Sequence, residues 1–571
     1  MLTSIVAFGA LAAGTARPAD AATAPAGHWG KARQVPGLAT LNAGQDALVL
    51  HVSCASPGNC AAAGTYAGST STTQVFFVEE KDGHWGKAVQ AGVPDPATSD
   101  AEINAMSCDA PGDCAGGGNF DVPGSPSRGF IIAEQQGGWG TPVPVSGSQV
   151  SSAVDAASCA PRGGGCAAGG YIFSGPFNGP QDSVADPFVI DRNADVWGPV
   201  RFLDLSGLGA STGIVSGVSC ATTGNCAAAG SYQDKSGATQ TLLADERNGV
   251  WGAAQAVPGM SVLPANRSFP GSVSCGSPGN CVVAGTYFDD HMSQQVYVAD
   301  EVDGQWGSPQ QVPGTGKLNA LGDALVGQVS CGSAGNCAVV GFYKDGNGAR
   351  RAFEADERHG AWHTARPLAG AGPLANGRES DALTVSCASA GNCVAGGWFI
   401  GASDNTGQQA FTASEVKGTW GMAKVLPGSA ALNQGKAAIT FAVSCAAPGA
   451  CAAGGSYFAS EASETAFLAD ESPVTMTSVG LSAAKIRFGH EQGEQVSVTV
   501  SSRTGGPPGG RVMVSAGARI ICVVTLAGGK GSCKLAARTL KPGRYTITAA
   551  YGGSATYDPS AAGAKTLTVT K

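Results

Sequence analysis

Apolar positions in this chain come in short runs bounded by Gly, Pro, Asn and Asp, and four such runs recur as a group along most of its length. In the first full group they are Leu48–Cys54, Cys60–Tyr66, Gln74–Glu80 and Trp85–Val93. Ser56-Pro57-Gly58-Asn59, Gly68-Ser69-Thr70 and Lys81-Asp82-Gly83 separate them, and Pro94-Asp95-Pro96 follows. Strand-length runs at this regular spacing predict an all-β fold. The repeat region carries no amphipathic-helix periodicity.

The unit is marked by Trp29, Trp85, Trp139, Trp197, Trp251, Trp306, Trp362 and Trp420, which lie 54 to 58 residues apart. A fixed period of this size signals a repeat architecture, and four strands per unit match a propeller blade. The phase is as informative as the period. The chain enters at Gly27-His28-Trp29-Gly30, a fourth strand, and leaves the repeat at Phe467-Leu468-Ala469-Asp470-Glu471, a third strand. The expectation is an eight-bladed β-propeller over 27–471, closed by its N-terminal strand, because closure removes exposed strand edges.

Cysteines change the picture of compartment. Eight pairs occupy one repeat position: Cys54/Cys60, Cys108/Cys114, Cys159/Cys166, Cys220/Cys226, Cys275/Cys281, Cys331/Cys337, Cys387/Cys393 and Cys445/Cys451. Each sits at the end of a first strand and the start of a second, where cross-strand Cα atoms come within disulfide reach. Each bond closes a short loop and contributes on the order of 2 kcal/mol. A ninth pair, Cys522/Cys533, flanks Ala527-Gly528-Gly529-Lys530-Gly531 and is expected to staple one hairpin. Metal binding would want C-x2-C spacing or nearby histidines, and neither occurs.

Residues 2–14 form a short apolar run and Ala19-Asp20-Ala21 fits a cleavage site, so 1–21 reads as a secretory signal peptide, although no Lys or Arg precedes the run. Disulfides and export together predict a secreted, extracellular or cell-surface protein. No apolar run is long enough to span a membrane. The net charge of −8 is spread along the chain without a basic stripe, which argues against nucleic acid as partner. The chain is expected to be monomeric and to need no cofactor or metal.

After Glu471 the grammar changes. Gln495–Ser501, Arg511–Ser515 and Tyr545–Tyr551 alternate like antiparallel strands. Leu540-Lys541-Pro542-Gly543-Arg544-Tyr545-Thr546-Ile547, then Tyr551-Gly552-Gly553, Tyr557 and Ser560, resembles the closing strands of bacterial Ig-like repeat domains. That resemblance implies an Ig-like β-sandwich over 472–571. The whole mature chain resembles secreted bacterial proteins that join Cys-paired, Trp-containing β-repeats to Ig-like modules. This implies a cell-surface setting and supplies no reaction.

Residues present in every unit are assigned to packing, and function is sought where the repeat breaks. The tryptophans, and the aromatics Tyr66, Phe120, Tyr171, Tyr232, Tyr287, Tyr343, Phe399 and Tyr457 after each second Cys, read as inter-blade filling. Glu80, Glu134, Glu246, Glu301, Glu357, Glu415 and Glu471 recur five residues before a Trp position, with Arg192 in the third unit. They read as turn or inter-blade hydrogen-bonding groups ahead of metal or catalytic ones. Gly-x-Trp resembles the end of the Asp-box of sialidase-like propellers, but the Ser-x-Asp-x-Gly part and an arginine cluster are missing. No G-x-S-x-G elbow, P-loop or H-E-x-x-H motif is present.

The loops between second and third strands, with the inter-blade connections, open on one face and vary most. Candidate ligand residues there are Phe173, Phe177, Asp182 and Asp186 in the third unit, Asp289, Asp290 and His291 in the fifth, and Asp345, Asn347 and Arg350 in the sixth. Asn42, Asn319, Asn376 and Asn433, with Asn266 similarly placed, offer a ring of sugar-binding amides, or equally ordinary turn chemistry. The leading expectation is a non-enzymatic binding or adhesion protein for extracellular glycan, cell-wall polymer or a surface protein. The alternatives are a carbohydrate-active hydrolase or lyase, and a purely structural envelope protein.

Overall fold

The computed structural model describes residues 27–571 apart from 70–71, 96, 162–164, 174–183, 194–195, 266, 402–406, 503–506 and 555. The expected leader at 1–21, Phe177, Asp182 and Asn266 lie outside the described residues.

The fold is all-β, and the repeat region builds eight sheets of one design, like the blades of a propeller. In the first, Ala47–Ser56, Asn59–Ala67, Thr73–Lys81 and His84–Trp85 pair antiparallel in chain order. The expected fourth strand is in fact two pieces. Gly86 N–H turns back to Glu79 O, Ala88 N–H is diverted to Pro36 O, and the chain rejoins the third strand at Val89–Gln90. Three connections also hold a single helical turn, at Thr315–Leu318, Ala371–Ala375 and Ser429–Leu432, each entered through a glycine with φ of +82° to +85°.

Every first strand carries a bulge. In the first sheet Leu50 is the extra residue between Val49 and His51. Beside it, a Cβ on Gly64 of the second strand would lie 1.8 Å from Leu48 O. Gly118, Gly170, Gly230, Gly285, Gly341, Gly397 and Gly455 meet the same obstruction at 1.8 to 2.3 Å. The recurring glycine is thus fixed by close backbone approach.

Each of the eight repeat cysteine pairs is bonded as expected: Cys54–Cys60, Cys108–Cys114, Cys159–Cys166, Cys220–Cys226, Cys275–Cys281, Cys331–Cys337, Cys387–Cys393 and Cys445–Cys451. Their Cα atoms lie 3.9 to 4.0 Å apart. Cys281 and Cys337 are bonded as expected, to Cys275 and Cys331. Both are buried half-cystines that also belong to the core. Cys281 packs in one cluster with Val273, Val283 and Tyr287, and Cys337 in the next with Val282, Val329 and Tyr343. Both also line the cleft where the fifth and sixth sheets meet. Their sulfurs are tied up in the bonds to Cys275 and Cys331, so they contribute wall and packing there and offer a ligand no thiolate.

The serine before each first cysteine links sheet to sheet. Ser53 Oγ accepts from Cys108 N–H at 2.9 Å, and the pattern continues through Ser107, Ser158, Ser219, Ser274, Ser330 and Ser386 to the N–H of Cys159, Cys220, Cys275, Cys331, Cys387 and Cys445. Ser444 Oγ accepts from Cys54 N–H at 3.0 Å, so the eighth sheet is linked to the first. As the phase predicts, Gly27–Trp29 pairs with the stretch from Glu471 to Pro473, and Arg33–Gln34 pairs with Phe467 and Leu468. Val49 and Val52 share a buried cluster with Ala442, Ala452 and Leu468.

After Pro473 come two further sheets. Thr475–Leu481, Gln495–Ser502 and Lys530–Lys534 form one; Lys485–Arg487, Gly510–Ala516, Arg519–Leu526, Gly543–Tyr551, Ser560–Ala561 and Lys565–Thr570 form the other. Val496, Val498, Val512, Val514, Ile547 and Leu567 alternate into the shared core. Cys522 and Cys533 are bonded, but they join the two sheets and do not staple one ladder. The strand of Cys522 pairs with Gly510–Ala516, whereas that of Cys533 pairs with Gln495–Ser502. The module sits against the last sheet. Asp558 N–H bonds Pro473 O, and its Oδ2 lies 2.6 Å from His28 Nδ1.

Candidate ligand-binding site

The positions around the bulge are where the repeat breaks. Across the first two strands, the facing pairs are Leu48/Thr65, Glu102/Asn119, Ala153/Tyr171, Ile214/Ser231, Phe269/Thr286, Leu325/Phe342, Asp381/Trp398 and Ile439/Ser456. The bulge residues are equally varied: Leu50, Asn104, Asp155, Ser216, Gly271, Gly327, Leu383 and Phe441. All lie within a few residues of the variable loops, and most are half-buried.

Two groups of chemistry result. In the second and third sheets, Asn104 Nδ2 donates to Asn119 Oδ1 at 3.0 Å and to Asp155 Oδ1 at 3.3 Å. Burial pushes Asp155 up to about 6, and the Asn104 hydrogen bond opposes this. Burial, then the Asp155 charge, push Tyr171 up, so its phenol stays protonated and able to donate. Phe173 lies edge-on to Tyr171 with centroids 5.3 Å apart. In the fifth to seventh sheets, Phe269 and Phe288 meet edge-on at 6.2 Å, and Arg350 lies over the Phe342 ring at 4.4 Å. Asp381, opposite Trp398, is pushed up to about 7 by burial while Arg350 draws it down. His51, on the first sheet, is pushed down to about 4 by burial and bonds the backbone of Ile103, so it is neutral.

Of the residues expected from sequence, Phe173 and Arg350 belong to these groups. Asp186 faces Ile172 on the neighbouring strand. Asp289 and Asp345 are not breaks in the repeat, since Asp234 holds the same place in the fourth sheet. Each accepts two backbone N–H groups of its own turn through Oδ1. Asp290, His291 and Asn347 are exposed on those turns. The amides of Asn42, Asn319 and Asn433 donate to backbone carbonyls of Glu464, Gln294 and Gln408 in the preceding sheet. Asn376 adopts φ of 45° after a helical turn. The side-chain amides of Asn42, Asn319 and Asn433 are thus engaged between neighbouring sheets. Sequence reasoning missed Asp155, Asp381, Trp398, Asn104 and Asn119. It also grouped Tyr171 with the core aromatics, although Gly170 aligns with Gly64 and makes Ile172 the counterpart of Tyr66.

The opposite ends of the sheets show what the recurring acids do. Trp85 Nε1 donates to Asp470 Oδ1 at 2.9 Å, and Trp139, Trp251, Trp306, Trp362 and Trp420 donate likewise to Glu79, Asp191, Asp245, Asp300 and Asp356 of the preceding sheet. Only the Nε1 atoms of Trp29 and Trp197 are buried without a partner among the described repeat tryptophans. Trp197 packs on Ala115, whose strand partner is Ala133, and Trp29 packs on Val394, whose partner is Ser414. The acid is simply missing at those two places. The recurring Glu, cross-strand from each Trp, faces the same acid, and burial then like charge push it up: Glu80, Glu134 and Glu415 to about 8, Glu246, Glu301 and Glu357 to about 7.

Residues 472–570 match the bacterial Ig-like domain (group 3) family. No curated protein matches the chain. Among solved structures, a puromycin-hydrolysing peptidase of Mycobacterium tuberculosis is similar at 15% identity and a TM-score of 0.37, covering 71% of this chain and 56% of the peptidase. The chain thus spans little more than half of that protein's length. The β-propeller domain of the Trilobed protease from Pyrococcus furiosus, described as having an open velcro topology, aligns at 9% identity and a TM-score of 0.36, covering 67% and 98%. The Hadza microbial sialidase Hz136 aligns at 11% identity and a TM-score of 0.32, covering 60% and 73%. The chain is an array of propeller-like four-strand sheets followed by a bacterial Ig-like domain.

Proposed function

We propose that the eight sheets are the blades of a closed ring, and that the protein is a secreted, monomeric, non-enzymatic binding protein for extracellular glycan or cell-wall polymer. The Ser444–Cys54 and Trp85–Asp470 hydrogen bonds, which join last blade to first, support closure. Nine disulfides and the Ig-like domain support an extracellular setting.

The observation that carries the binding reading is the varied row beside the bulge. It places Tyr171, Phe173, Phe342 and Trp398 next to Asp155, Asp381 and Arg350 on an otherwise uniform scaffold. Aromatic faces stack on sugar rings while acids and amides take hydroxyls, a combination suited to polysaccharide. Titration with soluble polysaccharide fragments, followed by calorimetry and indole fluorescence, tests this. Trp398→Ala and Tyr171→Ala should each weaken binding roughly tenfold, about the contribution of one aromatic contact. Trp197→Phe, at the other end of its sheet, should leave binding unchanged. Equal affinity of all three variants and the parent would sink the assignment.

The Asp155 charge acting on the buried Tyr171 phenol favours one second reading, a polysaccharide hydrolase or lyase with this pair as acid and base. Release of new reducing ends, or of unsaturated sugar ends, by the parent protein and not by Asp155→Asn would decide for it.

A further inference from the structure

The carboxylate pairs between sheets are unequally neutralised. At four of them an arginine is at hand. Arg247 lies 3.5 Å from both Asp245 and Glu301, and Arg358 lies 2.7 Å from Asp356 and 3.7 Å from Glu415. Arg33 acts on Asp470 beside Glu80, and Arg201 acts on both Asp191 and Glu246. A fifth interface has lost its acid to Ala133, and there Arg192 replaces the Glu and pairs with Asp113 at 2.9 Å.

Two pairs have no such partner among the described residues: Glu79 with Glu134, and Asp300 with Glu357. Glu134 is fully buried, and neither of its oxygens has a hydrogen-bond partner. One of them lies within 4.8 Å of a Glu79 carboxylate oxygen. The sulfur of Cys114 is equally close, but it is held in a disulfide and is no thiolate. Glu357 is also buried with Oε2 unpartnered. It borders the cleft walled by Cys281 and Cys337, a space of about 250 Å³ shared with Asp300, Glu301, Asn280 and His359. Buried carboxylate oxygens without hydrogen or charge are costly, and the four other acid pairs meet that need with an arginine; at the eighth interface Ser414 stands in place of the acid and Glu471 is alone, with Oε2 unpartnered.

We propose that a hard divalent cation of the calcium class occupies these two arginine-free sockets, one between Glu79 and Glu134 and one between Asp300 and Glu357. Carboxylate oxygens as donors, with room for retained water in the cleft beside Asp300 and Glu357, suit calcium, with a dissociation constant on the order of 10⁻⁴ to 10⁻³ M, as in extracellular modules. The sites tie neighbouring sheets together and are independent of the glycan reading.

Each socket has its own reporter, because Trp139 and Trp362 donate to Glu79 and Asp300. Terbium added to the intact protein at neutral pH should give saturable emission on indole excitation, displaced by calcium. Glu134→Gln and Glu357→Gln should each remove part of it, and the double variant nearly all. Calcium should raise Tm in the parent and in a Trp139→Phe, Trp362→Phe variant, whose terbium emission falls while its sockets persist. Absence of calcium-displaced emission in the folded parent overturns the proposal and leaves a shared proton as the occupant. Undiminished emission in a folded double Gln variant overturns it too.

Discussion

The indole Nε1 of Trp85 donates a 2.9 Å hydrogen bond to Oδ1 of Asp470, a residue 385 positions further along the chain. Between these two residues lie nearly all the sheets, so the bond joins the last of them to the first. The same contact recurs at five other interfaces at 2.9 to 3.0 Å.

Removing this contact should cost stability only where it exists. Trp85→Phe should lower the unfolding free energy by about 1.5 to 3 kcal/mol, the range for a hydrogen bond to a charged group. Trp197→Phe removes a buried N–H that has no partner and should be neutral or stabilising. Denaturant unfolding of the two variants side by side checks the contrast.

Restoring a missing acid should do the reverse. Ala133 stands where six of the other sheets supply the acceptor, close to Trp197 and Arg192. Ala133→Asp should raise Tm by a few degrees, through one charge-assisted hydrogen bond. The same substitution in a Trp197→Phe background should gain less.

Stability should fall toward alkaline pH. Glu246 and Glu415 are raised from 4.5 to about 7 and about 8, by burial first and then by Asp191 and Asp356, with Arg201 and Arg358 opposing. The folded state holds these protons more tightly than the unfolded one. Their contribution is therefore complete below pH 4.5 and is lost as pH rises through 7 to 8. Glu246→Gln with Glu415→Gln should flatten the fall in a Tm-against-pH series.

The bulge glycine should tolerate no side chain. Gly64→Ala puts a Cβ 1.8 Å from Leu48 O and should cost at least about 3 kcal/mol, or prevent folding. Gly372→Ala meets nothing within 4 Å and should change stability by less than about 1 kcal/mol. Soluble yield and Tm of the pair decide this.

The scaffold was legible because its signals are periodic. Cys, Trp and turn glycines repeat, and the orphan strand at Trp29 revealed which sheet it completes. The bulge was not legible, since an extra residue such as Leu50 changes no spacing that the eye follows along the chain. That one omission hid the candidate site. Only once Gly64 and Gly170 are set in register do Thr65, Tyr171, Phe342 and Trp398 appear as one varied position. The turn aspartates misled for the opposite reason. Asp289 and Asp345 look singular in sequence because their loops differ in length and composition, yet they perform the same local task. The role of the serine before each cysteine was overlooked because its partner lies a full unit away. The cleft beside Cys281 and Cys337 is likewise not legible in sequence, because its walls come from two units.

The seam between chain start and repeat end also sets how the molecule bears load. Gly27–Trp29 runs antiparallel to the residues that lead directly into the C-terminal module. Tension applied through that module travels along Ser463–Pro473, which is hydrogen-bonded to Ala450–Ser460 on one side and to the N-terminal strands on the other. Those bonds lie across the direction of pull, so they resist together in shear and do not open one after another. A pull on the C-terminal module would thus meet a strand held on both sides, and Gly27–Trp29 would act as a mechanical clasp on it.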